Sequence, residues 1–139
     1  MRRSKDFQNS IGLLLLRVGA GGLLFFGHGL PKLIHWSDRV HKFANPIGLG
    51  PEVSFSLVIF AEVVCALAVV FGLATRLAAV PIVFFLLVGA FVQNFAEPFS
   101  EKELALIYLV PFVALILTGA GHYALDTIIL RGRAGRRRL

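Results

Sequence analysis

The chain has 139 residues, 57% of them hydrophobic and only 16% charged, with a formal net charge of +6. Soluble domains carry about a quarter charged residues, so this composition excludes an ordinary water-soluble globule and points to a membrane domain. The single cysteine, Cys65, can form neither an internal disulfide nor a thiol redox pair.

Four apolar runs each come close to the ~20 residues that a helix needs to cross the hydrocarbon core. They predict helices over residues 10–30, 52–73, 77–95 and 103–122. The runs are too continuous for barrel strands, which alternate apolar and polar positions. The expected fold is all-α: one membrane domain over residues 1–139, an antiparallel up-and-down four-helix bundle.

The first run has the basic start and apolar core of a signal peptide. However, Arg17 interrupts it and no A-x-A-like cleavage site follows, so it reads as a retained first helix. After it, Leu33, Trp36, Val40, Phe43 and Ile47 recur at helical spacing, with Lys32, His35, Arg39 and Lys42 between them. Two readings stand: a short interfacial helix over residues 32–45, or a first helix that continues past Pro31. Pro46 and the Gly48-Leu49-Gly50-Pro51 segment then turn the chain back.

The second helix carries Glu62 and a stripe of small residues, Ala61, Cys65, Ala68 and Gly72, which suits close helix contact. The connection over residues 73–76 is short enough to force a hairpin. The third helix ends at Gln93 and Asn94; the fourth begins at Glu103, with Tyr108 about one and a half turns deeper. A basic tail, residues 131–139, follows.

Arg2, Arg3, Lys5, Arg76 and the five arginines of the tail fall on one side of this arrangement, against Lys32, Arg39, Lys42 and Lys102 on the other. Basic residues are retained in the cytoplasm, so both termini are expected there, with the protein multi-pass in a bacterial inner membrane. The tail reads as a topology anchor that attracts anionic lipid; nucleic acid is not an expected partner.

Arg17 and Glu62 stand alone in otherwise apolar spans. A charge near the bilayer centre costs at least ~2.5–3.5 kcal/mol on insertion scales, so such residues pair, face a cavity, or do chemistry. On helical rise their depths differ by a few ångströms, within reach of an arginine. A bidentate pair is expected, either a staple that fixes helix register or the polar floor of a ligand cavity. In the outer half, His28, Lys32, Gln93, Asn94, Glu103 and Tyr108 should gather at similar depth, where a histidine and a glutamate can relay protons. His28 and His35 fall on one side and His122 on the other, which argues against a haem, and no ligand spacing indicates a metal.

The segment from Arg17 through His28-Gly29-Leu30-Pro31-Lys32-Leu33, then Ala61-Glu62, then Gly72-Leu73-Ala74-Thr75-Arg76-Leu77, then Gly119 to Asp126 resembles the DoxX family of small membrane proteins. The resemblance spans most of the chain and implies a four-helix membrane protein. Some members are linked to membrane oxidoreductase complexes, including a thiosulfate–quinone oxidoreductase; others associate with redox-stress partners.

The leading expectation is a redox-associated membrane subunit that binds a quinone-like molecule near Arg17 and Glu62. Glu62 would exchange protons, Arg17 would stabilise an anionic form, and His28 would connect the pocket to the outer surface. Lys32, Gln93, Asn94, Glu103 and Tyr108 would contact the ligand. Two other expectations are a non-enzymatic scaffold or assembly partner, and a small-solute carrier or channel working as a homo-oligomer.

Overall fold

The computed structural model describes residues 2–136, with side-chain surroundings for residues 3–131. Among the described residues all regular structure is helical, without strands. Helix α1 (Arg2–Leu24) passes through a π-helical turn (Phe25–Gly29) into α2 (Leu30–Ile34), making one rod. The short α3 (Trp36–Arg39) and a 3₁₀ turn (Val40–Lys42) lie in the connection that follows. A second rod comprises α4 (Pro51–Ile59), a π turn (Phe60–Cys65) and α5 (Ala66–Phe71). A third comprises α6 (Thr75–Val88) and a π turn (Gly89–Gln93). Helix α7 (Phe99–Thr118) is the fourth, and α8 (Leu125–Arg136) carries the start of the basic tail, whose residues 137–139 lie outside the described residues.

Local chemistry sets these boundaries. Gly50, at φ 92°, turns the chain into α4, its amide donating to Asn45 Oδ1 at 2.9 Å, and Pro51 takes the first helical position, where no amide hydrogen is needed. At the other end Gly72 adopts the left-handed conformation. Gly72 N–H bonds to Val69 O and Leu73 N–H to Ala68 O, the Schellman pattern that satisfies the last carbonyls. Pro98, extended, precedes α7, and Gly119 at φ 82° ends it.

The first rod packs against α5 and α7, the second also against α6, and α6 against α7, so each rod meets two others. Glycines set the spacing of the first two rods. A Cβ at Gly21 would stand 2.8 Å from Val70 Cγ2, and one at Gly29 would stand 2.8 Å from the Glu62 carbonyl carbon. Only a residue without a side chain admits backbones this close. The core between the rods is made by Leu24, Ala66, Val69, Ala79, Ile82, Phe112 and Leu115, all within 1% of complete burial.

The outward surface is apolar. Leu15 and Phe26 on the first rod, Leu77 on the third, and Val110 and Leu117 on the fourth are 68–74% exposed. Three rods, Arg3–Ile34, Pro51–Phe71 and Thr75–Gln93, are long and apolar enough to cross a membrane. Helix α7 has 20 residues but opens on Glu101, Lys102 and Glu103.

The helix over residues 2–34 runs well beyond the expected 10–30 at both ends. Of the two readings of the next segment, continuation past Pro31 holds as far as Ile34, and the stripe beyond it folds as α3 and the 3₁₀ turn. Proline is harmless at Pro31 because it stands in the first turn of α2, after a π turn has already redirected the backbone bonds.

Candidate functional site

At the end of the rods that carries the 35–50 and 94–98 connections, the interior opens into a cavity of about 350 Å³. All three π turns border it, contributing His28, Ala61 with Glu62, and Gly89 with Gln93. A π turn widens the helix and shifts its side chains, and such turns recur at functional sites. Leu24, Val58, Ile82, Phe85, Leu86 and Leu104 make apolar walls.

The polar floor is an ion pair. Lys32 Nζ lies 2.6 Å from both Glu62 carboxylate oxygens, and the two side chains are only 20% and 15% exposed. The close approach at Gly29 explains the pairing: it presses α2 onto the Glu62 backbone, and Lys32 stands one turn further along. Charge-assisted contacts this short are among the stronger hydrogen bonds. The ammonium has three donors, so at least one remains for a ligand.

His28 and Tyr108 meet edge to face beside the floor, ring centres 5.5 Å apart at 89°. Gln93 and Asn94 stand at the rim, where Asn94 Nδ2 donates weakly to Glu101 O at 3.5 Å. Over the mouth, Phe43, Pro46 and Ile47 form a cover. It is anchored by Phe43 and Trp36, whose rings lie 5.0 and 5.2 Å from the buried ring of Phe55.

The expected Arg17–Glu62 pair does not form. Glu62 is held by Lys32, and the Arg17 guanidinium donates instead from Nη2 to the Tyr123 carbonyl. Arg17 is 2% exposed and packs against Gly72, at the end of α5. Gly72 is ten residues beyond Glu62, so the two charges are separated by roughly 15 Å of helix. The expectation placed Arg17 by assuming that the span began near residue 10; the helix begins at Arg2 and reaches Ile34, which slides Arg17 down and brings Lys32 into the interior. A cation beside a helix C-terminus is favoured by the dipole, though Arg17 Nε and Nη1 find no partner among the described residues.

Of the other expected contacts, His28, Lys32, Gln93, Asn94 and Tyr108 border the cavity together with Glu62. Glu103 does not: it is exposed on α7, while Glu101, Leu104, Ala105 and Tyr108, spaced three, one and three, share the cavity face. Because α7 begins at Phe99 rather than at 103, Glu101 is already helical, and counting seven back from Tyr108 would have found it. Sequence reasoning also missed Ser54, a buried wall residue whose Oγ has no partner among the described residues.

A second cavity, about 410 Å³, lies at the opposite end between Asp6, Ser10, Thr118, His122 and Thr127. Ser10 Oγ donates to Asp6 O at 2.7 Å, so the 3.1 Å contact with His122 is donated by the ring Nδ1–H. Among the described residues no three His, Cys, Asp or Glu side chains gather as metal ligands would.

Comparison with known proteins gives a consistent result. The DoxX family model matches residues 12–94. A Bacillus subtilis (strain 168) protein described as "Putative oxidoreductase CatD" is 33% identical over 131 residues, 94% of each chain. No solved structure matches.

Proposed function

The chain belongs to the DoxX family, and we propose that it is a redox-associated membrane protein that binds a quinone-like, lipid-soluble molecule against the Lys32–Glu62 pair. The observation that carries this reading is an apolar-walled cavity of about 350 Å³ with one ion pair on its floor. That is the size of a small-molecule site, and a few placed polar groups in an apolar lining are what such sites present. The description of the Bacillus subtilis relative as an oxidoreductase supports the redox part.

The donor set fits a quinone. Lys32 offers a charged donor to a ring carbonyl, and Glu62 offers an acceptor to the hydroxyl of the reduced form. The flat ring suits the walls of Leu24, Ile82 and Leu86, and the buried Ser54 hydroxyl leaves one further polar contact unspent. When bound, a quinone supplies a two-electron, two-proton couple, which this chain's single cysteine cannot. Glu62 holds or releases the proton, Lys32 keeps the carboxylate oriented, and His28, packed on Tyr108, passes protons towards the mouth. The apolar walls and the Phe43–Pro46–Ile47 cover limit water around the ring.

In this reading the four rods form an antiparallel bundle in a bacterial inner membrane. Both termini lie in the cytoplasm, on the side richer in arginine and lysine. The cavity then opens outward, and a separate redox partner completes the electron path.

Extraction of lipid-soluble molecules from detergent-purified protein, with optical titration by a quinone analogue, tests the proposal. Removing a charged hydrogen bond of ~1.5–3 kcal/mol should weaken binding on the order of ten- to a hundredfold in Glu62→Gln. Equal affinity in wild type, Glu62→Gln and Lys32→Met would refute it.

A further inference from the structure

Among the described residues the interior polar groups fall into two compartments with nothing polar joining them. The upper compartment is the Lys32–Glu62 cavity; the lower holds Arg17, Ser10 and His122. From Glu62 to Gly72, where Arg17 lies, the gap is about 15 Å by helical rise. Across it the rods contribute residues 18–27, 63–71, 77–88 and 109–117, in which every side chain is apolar except the Cys65 thiol. At its centre Ala66, Val69, Ala79, Phe112 and Leu115 are completely buried and packed on one another.

We propose that this plug makes the site one-sided: water and protons reach the Lys32–Glu62 cavity only from the end bearing the 35–50 and 94–98 connections. A proton path needs successive donors and acceptors roughly 3 Å apart. Spanning the plug would take a file of several waters, whereas close-packed apolar interiors have no room for such a file and stay dry. The Lys32–Glu62 pair therefore meets water and protons from a single face, and the Ser10–His122 cavity is an independent pocket open to the other. The same plug argues against a carrier or channel through the four rods of one chain. The inference names the proton route of the proposed ligand site, but its physical basis is the packing alone.

Cysteine labelling of the full-length protein in cells and in inverted membrane vesicles tests it, because thiol reagents attack the thiolate, which requires water. Native Cys65 probes the plug. In a Cys65→Ser background, Val58→Cys probes the cavity wall one turn above Glu62, and Asn9→Cys probes the opposite pocket. With a charged, membrane-impermeant reagent, Val58→Cys should react at least tenfold faster from one face. Asn9→Cys should show the opposite preference, and Cys65 should react from neither face until the protein is denatured. Reaction of Cys65 in the intact membrane, or of Val58→Cys at equal rates from both faces, would overturn the inference. One-sided labelling in a protein that binds no quinone analogue would keep the plug and discard the ligand.

Discussion

Gly29→Ala is the substitution with the clearest structural consequence. Its Cβ would stand 2.8 Å from the Glu62 carbonyl carbon and closer still to the carbonyl oxygen, where ordinary contact begins at 3.4 Å, so the two rods must part by more than 0.6 Å. The obstacle is backbone, which cannot rotate away as a side chain can. The same movement carries α2 away from Glu62, so Lys32 must extend along a less favourable rotamer to keep its 2.6 Å contacts, which weakens the floor of the cavity. Overpacking of this kind costs about 1–3 kcal/mol. Thermal unfolding in detergent should show the loss, and titration with a quinone analogue should show weaker binding. Gly19→Ala is the control: nothing lies within 4 Å of its would-be Cβ, and trading a helical glycine for alanine stabilises by up to about 1 kcal/mol. If Gly29→Ala melts with wild type and binds equally well, the packing that brings Lys32 to Glu62 is not the one described.

Three further outcomes are expected. Glu62→Gln should destabilise by less than the ~3–5 kcal/mol found when one member of a fully buried pair is removed, because the two side chains keep 20% and 15% exposure, and the Lys32→Met, Glu62→Gln double variant should recover much of the loss in a denaturation cycle. Arg17→Gln should lower the unfolding temperature yet leave analogue affinity within about twofold, since roughly 15 Å of helix separates it from Glu62; a binding loss matching that of Glu62→Gln would contradict this. Gly72→Ala should be the most damaging glycine change, because φ is 74° there and the new Cβ would stand 2.6 Å from Ala124 Cβ; expression and melting curves report it.

Much of the fold was legible because span length and hydropathy are coarse, additive signals. The gathering of His28, Lys32, Gln93, Asn94 and Tyr108 was legible too, since depth along a helix follows from counting residues. The partner of Glu62 was not. Counting from the edge of the apolar run assumed that Arg17 marked mid-span, whereas the helix includes polar residues from Arg2 onward. Lys32, next to Pro31 at an apparent helix end, looked interfacial. What draws it inward is the contact of Gly29 with the Glu62 backbone, a tertiary feature with no local signature. Glu103 was preferred to Glu101 for a smaller reason: a start at residue 103 leaves Glu101 outside the helix, while the start at Phe99 puts it on the Tyr108 face.

The three π turns also bear on how this chain can vary. Each accommodates one more residue than an α-helical turn, so in the first two rods, where α-helix continues on both sides, the side-chain stripe beyond the π turn is offset by about 100° from the stripe before it. In those two rods the half that faces the plug and the half that faces the cavity are thus out of phase, although they belong to one continuous helix. Substitutions that reshape the cavity need not propagate into the packing beneath it. The first two rods act as joined half-helices: the stripe that lines the cavity and the stripe that packs into the plug are separate sets of side chains, so a change in one is not a change in the other.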